Sequence, residues 1–241
     1  MNLLILDAGH AKNTAGKNNL KENFYEWEFN NDMQYKIKSR CEELGIKVFL
    51  TNPNPATVSD IALGVRAKSA NDYWIKNNKC KAIFISLHGN AFSNASARGT
   101  ETYIAKNAST TSKNFAKTLN DEIVKTMKSL DKNAKDRGVK SENFTVIYKA
   151  SMPSVLVEYG FYTNLDDLKI LKNNKNELVE ATVKAICNYF NIEYKEKVNE
   201  AKFDGNLYAV CVGAYKDKNK ADSIVKELKE KGYTSTYLII R

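Results

Sequence analysis

Apolar residues along this chain fall into two periods: short unbroken runs that read as buried strands, and i, i+3, i+4 stripes that read as amphipathic helices. Residues 2–6 form the first run. Phe29, Met33, Ile37, Cys41 and Leu44 then recur at helical spacing and Gly45 follows, which predicts a helix over 25–44 that stops at the glycine. Residues 47–51 read as a second strand closed by a proline-containing turn over 52–55, and Ser59 is placed to cap a helix ending near 78. The run over 82–87 is the clearest buried strand of all. Further strands are predicted at 100–105, 144–148 and 154–159, with a long helix marked by Phe115, Leu119, Ile123, Met127 and Leu130 and a last one over 177–190. This alternation predicts an α/β domain with a mixed, mostly parallel central sheet of about six strands flanked by helices.

Beyond residue 192 the pattern changes. Residues 193–204 are charged and aperiodic, which suits a linker between a domain over 1–192 and a small unit over 205–241. That unit reads as strand (207–215), helix (219–231, with Ala221, Ile224, Val225 and Leu228 on one face) and strand (233–240). A β-α-β unit of this size cannot bury both of its faces. It is expected to dock on another surface or to pair with its copy in a homodimer.

Composition narrows the picture. With 43% hydrophobic content over 241 residues the chain can bury one full-sized core. No apolar run approaches the roughly 20 residues of a membrane-spanning helix. The N-terminal run lacks a basic leader and a small-residue cleavage site, so it reads as a strand rather than a secretory signal, and synthesis in the cytoplasm without export is expected. Cys41, Cys80, Cys187 and Cys211 are scattered without paired spacing and read as reduced packing residues. A formal charge of +9, spread along the chain rather than blocked, points to an anionic partner without requiring nucleic acid.

The chain has two histidines, His10 and His88, and each follows an apolar strand beside a glycine. Ligands of open α/β sheets collect beyond the carboxyl ends of the strands, so both imidazoles are expected at one edge. Glu158 ends a third apolar run, Val155-Leu-Val157. Imidazoles and carboxylates together form a donor set suited to a divalent zinc ion with an open position. No serine or cysteine lies in a nucleophile-elbow pattern, which weakens covalent catalysis as the competitor.

The same residues carry a resemblance. Leu6-Asp-Ala-Gly-His10, Glu26-Trp-Glu-Phe-Asn30, Leu63-x-x-Arg66, Ile85-Ser-Leu-His88-Gly-Asn90, Arg98-Gly-Thr-Glu101, Arg137-Gly-Val139 and Pro153-Ser-Val-Leu-Val-Glu158-Tyr-Gly160 resemble, in order, the motifs of the type-3 zinc N-acetylmuramoyl-L-alanine amidases over about residues 1–190. The resemblance implies zinc ligands at His10, Glu26 and His88 and a proton-carrying Glu158. Glu28 and Glu22 are the rival carboxylates; on a helix Glu28 points about 200° away from Glu26. It also implies hydrolysis of the amide between N-acetylmuramic acid and L-alanine in bacterial peptidoglycan. The rival readings are a zinc peptidase cutting within the stem peptide and a wall-binding protein without catalysis. Arg66, Arg98 and Arg137 are read as clamps near the site, and Asn90, Arg98 and Glu101 as partners for the imidazoles. The C-terminal unit resembles half of a SPOR peptidoglycan-binding domain. An enzyme of this kind without a signal segment is expected to reach the wall through a membrane lesion or after cell lysis, as an endolysin or an autolysin.

Overall fold

The computed structural model describes residues 1–56, 59–196 and 216–232. It divides into two units, Met1–Glu196 and Lys197–Arg241. In chain order the strands of the first are β1 (Asn2–Ala8), the two-residue pair β2 (Asn18–Asn19) and β3 (Phe24–Tyr25), β4 (Lys47–Leu50), β5 (Lys81–Asn90), β6 (Thr100–Ile104), β7 (Asp136–Ser141) and β8 (Ser154–Phe161). Six of them form one sheet in the order β4-β1-β5-β8-β6-β7, while β2 and β3 pair with each other. Strands β4, β1, β5 and β8 run parallel, as do β6 and β7, and the two blocks meet at an antiparallel seam between β8 and β6.

Helices cover both faces, which is why the central strands carry apolar residues on both faces over most of their length. On one face Leu4, Leu6, Ile83, Ile85, Val155 and Val157 share a core with Met33 and Ile37 of α1 (Glu26–Glu43). Leu119 and Ile123 of α3 (Thr110–Leu130) and Ile186 of α6 (Lys175–Phe190) complete it. On the other face Leu3, Ile5, Phe84 and Leu156 meet Ala70 of α2 (Leu63–Lys76) and Val146 and Ile147 of the one-turn α4 (Thr145–Tyr148). Each such buried aliphatic side chain contributes roughly 2 kcal/mol, so these central strands are firmly anchored from both faces. Cys41 and Cys187 are free thiols packed in the first core and Cys80 is a half-buried one, whereas Cys211 lies outside the described residues.

Three local expectations fail. The strand expected at 144–148 is α4, closed by Ile147 and Tyr148 N–H groups donating to the Phe144 carbonyl. A five-residue apolar run is too short for its period to separate strand from helix. The sixth strand is instead β7, a polar edge segment that pairs with β6 alone and has no fully buried residue, so no apolar run announces it. The helix expected after Ser59 begins at Leu63, with no side-chain cap. A further helix, α5 (Leu165–Asn173), is capped by Asn164 accepting the Asp167 N–H and carries too few residues to declare itself by period.

In the second unit the described element is α7 (Lys218–Glu230), whose cap Asp217 accepts the Asn219 N–H. The strands expected at 207–215 and 233–240 lie outside the described residues. Among the described residues no helix is long and apolar enough to cross a membrane.

Candidate metal centre

Register places the site. Ala8 of β1 lies opposite Leu87 of β5, and His88 of β5 lies opposite Glu158 of β8. The Gly9 N–H continues the β1–β5 ladder to the Leu87 carbonyl at 3.0 Å, so His10 leaves β1 beside His88. Both β5 and β8 run further than the apolar pattern implies, to Asn90 and Phe161, and His88 and Glu158 sit inside their strands. That fixes their direction more firmly than a loop would.

His10 has a φ of +66°, the left-handed region that side chains other than glycine rarely occupy. Buried amides hold it there: Asn52 Nδ2 donates to the Ala8 and His10 carbonyls at 2.9 and 3.0 Å, and Asn30 Nδ2 to the Gly9 carbonyl at 3.0 Å. Surroundings that over-determine a strained residue are what let it persist. Gly9 is equally constrained, because a Cβ there would stand 2.1 Å from His88 Cε1. Its absence lets the two imidazoles meet edge to face at 5.0 Å and 87°.

Glu26 opens α1, where the helix dipole favours a carboxylate. Its Oε1 lies 3.0 Å from His88 Nδ1 and 3.3 Å from His10 Nε2. The Gly89 N–H donates to it at 3.3 Å, and Asn30 Nδ2, one helical turn on, at 3.4 Å. Its Oε2 is buried with no hydrogen-bond partner among the described residues. The three donor atoms lie within 4.8 Å of one another. Bonds of ~2.0–2.1 Å in a tetrahedron set ligand atoms about 3.3 Å apart, so the two Glu26 distances are those such an ion needs. The orphaned Oε2 says the same from the side of hydrogen bonding. The histidine side chains remain 16% and 12% exposed, which leaves a coordination direction open to solvent.

The two carboxylates titrate in opposite directions. Burial pushes Glu26 up, but hydrogen bonds to His10 and His88 and their charges outweigh it and hold the group at about 2. Burial raises Glu158 well above the usual carboxylate range, and the negative charges of Glu26 and Glu101 push the same way. Glu158 Oε2 also has no partner among the described residues.

Beneath His10 a buried ion pair ties the strand ends together. Arg66 Nη1 of α2 donates to both Asp7 carboxylate oxygens at 3.2 Å, and Thr51 and Ser86 hydroxyls donate to the same group at 2.5 and 2.7 Å. Arg66 thus acts as the expected clamp. A buried pair with every oxygen satisfied is costly to break from one side. Arg98 clamps a different place: it binds Asp131, Asp166 and Asp167 at 2.6, 3.1 and 3.0 Å and so joins the loop before β6 to α5.

The expectation that Asn90, Arg98 and Glu101 partner the imidazoles is not met. Asn90 Nδ2 donates to Glu101 Oε1 at 2.7 Å, and Glu101 also receives the Tyr103 hydroxyl, Arg137 Nε and Lys140 Nζ. Among the described residues the hydrogen-bonding partner of His88 is Glu26 itself. Of the rival carboxylates, Glu28 is exposed, and neither it nor Glu22 joins the cluster. Asn52 was not tied to the site from sequence, and Gly9, Asn30 and Asp7 stood in the quoted motifs without the positioning roles seen here. The spacing of Asn30 from Glu26 was their one legible signal, because the others act through contacts distant in the chain.

Known proteins share this fold. The model of the N-acetylmuramoyl-L-alanine amidase family matches residues 4–188. The chain is 25% identical, over 98% of its length and 84% of the relative's, to the sporulation-specific N-acetylmuramoyl-L-alanine amidase of Bacillus subtilis. It is 30% identical to the endolysin of Bacillus phage SPP1 over 80% of this chain and 68% of that one. Among solved structures, the catalytic domain of CwlV, an N-acetylmuramoyl-L-alanine amidase from Bacillus (Paenibacillus) polymyxa var. colistinus, superposes with a TM-score of 0.68 at 28% identity, covering 80% of this chain and 100% of that domain.

Proposed function

The chain belongs to the N-acetylmuramoyl-L-alanine amidase family, and from that premise we propose that His10, Glu26 and His88 hold a zinc ion while Glu158 carries the protons of the reaction. The activity is the family's own, hydrolysis of peptidoglycan at the amide joining N-acetylmuramic acid to the L-alanine of the stem peptide. Zinc held by three protein ligands lowers the pKa of a water toward ~7 and polarises a carbonyl.

The chain's own groups supply the rest. Glu158 takes a proton from the attacking water and delivers it to the alanine nitrogen as the amide breaks. Its Oε2, which has no partner among the described residues, is available for both transfers. Glu26 cannot do this work, because two imidazoles hold it ionised. Glu101 is occupied by four donors. The observation that carries the reading is the ladder pairing of His88 with Glu158, which sets the proton carrier one strand from the ligands.

The test compares two variants on purified wall, scoring zinc content and newly exposed alanine amino groups. His88→Ala is expected to lose zinc and activity together, and Glu158→Gln to keep zinc and lose activity. A Glu158→Gln enzyme cutting at the wild-type rate overturns the assignment. We assign residues 205–241 to wall attachment, supported by the β-α-β pattern of their sequence.

A further inference from the structure

On the far side of Glu158 from the metal ligands the sheet edge carries a cleft of about 550 Å³, lined by Arg98, Lys135, Asp136, Arg137 and Lys140 among others. Two of these are already committed: Arg98 to three aspartates, and Asp136 to accepting from Asn120 Nδ2 and the Gly138 N–H. Lys135, Arg137 and Lys140 remain as its cations. Arg137 spends only Nε on Glu101, at 2.5 Å, and its guanidinium lies 4.9 Å from the Phe161 ring centre. Neither of its Nη nitrogens has a hydrogen bond among the described residues.

Glu101 holds two of the cations that line this cleft. It is 2% exposed, it holds Arg137 and Lys140 with one oxygen, and it stands directly opposite Glu158 in the β6–β8 ladder. The two cations therefore keep a fixed place relative to the proton carrier, and little conformational entropy is left to lose when they bind. Lys140 pairs with Tyr103 one strand further out. At ~4.8 Å per strand the cationic edge begins about 10 Å from Glu158. An extended peptide advances ~3.3–3.6 Å per residue, so a chain leaving the scissile amide reaches it within about three residues.

Substrate chemistry decides which half goes there. The glycan side of the scissile bond presents hydroxyl and acetamido groups, whereas the peptide side carries free carboxylates beyond alanine. A planar guanidinium and a neighbouring ammonium match a carboxylate. Resting on the amidase reading above, we propose that Arg137 and Lys140, oriented by Glu101, form a carboxylate-recognising subsite that lays the stem peptide across β6 and β7.

The experiment uses the full chain and two synthetic substrates, a muramoyl tripeptide with free carboxylates and the same compound with its carboxylates amidated. The wild-type enzyme is expected to favour the free acid by about tenfold in kcat/KM, chiefly through KM, and less so in high salt. Arg137→Gln, Lys140→Gln and the exposed rim variant Lys135→Glu are each expected to shrink that ratio. Arg137→Lys is expected to restore part of it. Equal wild-type rates on the two substrates, or variants that slow both alike, overturn the subsite while leaving the amidase reading intact. An effect seen on teichoic-acid-bearing walls and absent from the tripeptides also overturns it, in favour of a wall phosphate. Failure of the amidase reading would look different, since neither tripeptide would then release an alanine amino group.

Discussion

Glu26 and Glu158 stand near one another, each with one buried oxygen lacking a partner, yet their surroundings push them apart. Glu26 faces two imidazoles at the start of a helix and stays ionised. Glu158 faces carboxylates from inside an apolar strand and gains affinity for a proton. Carboxylates driven in opposite directions by environment are how one site divides charge holding from proton transfer. The proposed division of labour, a cation held by Glu26 and a proton moved by Glu158, rests on that difference.

The largest effects come from erasing that contrast. Glu158→Gln is expected to lower kcat by about 10²–10⁴-fold, the usual worth of a positioned general acid–base, with zinc retained. Glu26→Gln is expected to abolish activity by losing the ion, as metal analysis of the purified protein would reveal. Gly9→Ala comes next. The added Cβ forces the His88 ring to move, so zinc affinity should fall by about 10–100-fold, a loss measurable by competition with a chromogenic chelator.

The contrast also predicts opposite pH signs in the metal-free protein. Glu26 titrates at about 2 in the fold and ~4.3 when unfolded, so the stability it contributes is present above ~4.3 and is lost as pH falls toward 2. Glu158 is raised, so its favourable state is the protonated one, present below ~4.3 and lost as pH rises through its folded value. Glu158→Gln should therefore raise the thermal midpoint of the metal-free protein at pH 8 by about 2–4 °C and change it little at pH 4. A midpoint that drops at pH 8 would contradict the assigned environment. The smallest effect concerns a region remote in sequence: removing residues 197–241 should lower sedimentation of the protein with purified walls while cleavage of a soluble muramoyl peptide continues.

Much of this was legible in the chain. Runs such as 82–87 declared the central strands because a strand buried on both faces is mostly apolar at consecutive positions. Two histidines at the ends of two such runs announced one edge, and the motif running from Glu26 to Asn30 carried the family resemblance that points to Glu26 as the carboxylate beside them. Polar segments were illegible for the opposite reason. Strand β7 satisfies its backbone at the sheet edge without burying a side chain completely, so its sequence carries no periodic mark.

By itself the sequence determined the layered α/β architecture, since burial period is a local property, and its ordered motifs carried the resemblance that gave the family and the four residues proposed for the chemistry. Only the tertiary structure decided that Gly9 must lack a side chain, that Asn52 and Asn30 hold the turn around His10, and that Glu101 turns Arg137 and Lys140 into a cationic edge beside Glu158. Those roles exist only between residues that are far apart in the chain and brought together by strand register, and no local pattern encodes a register.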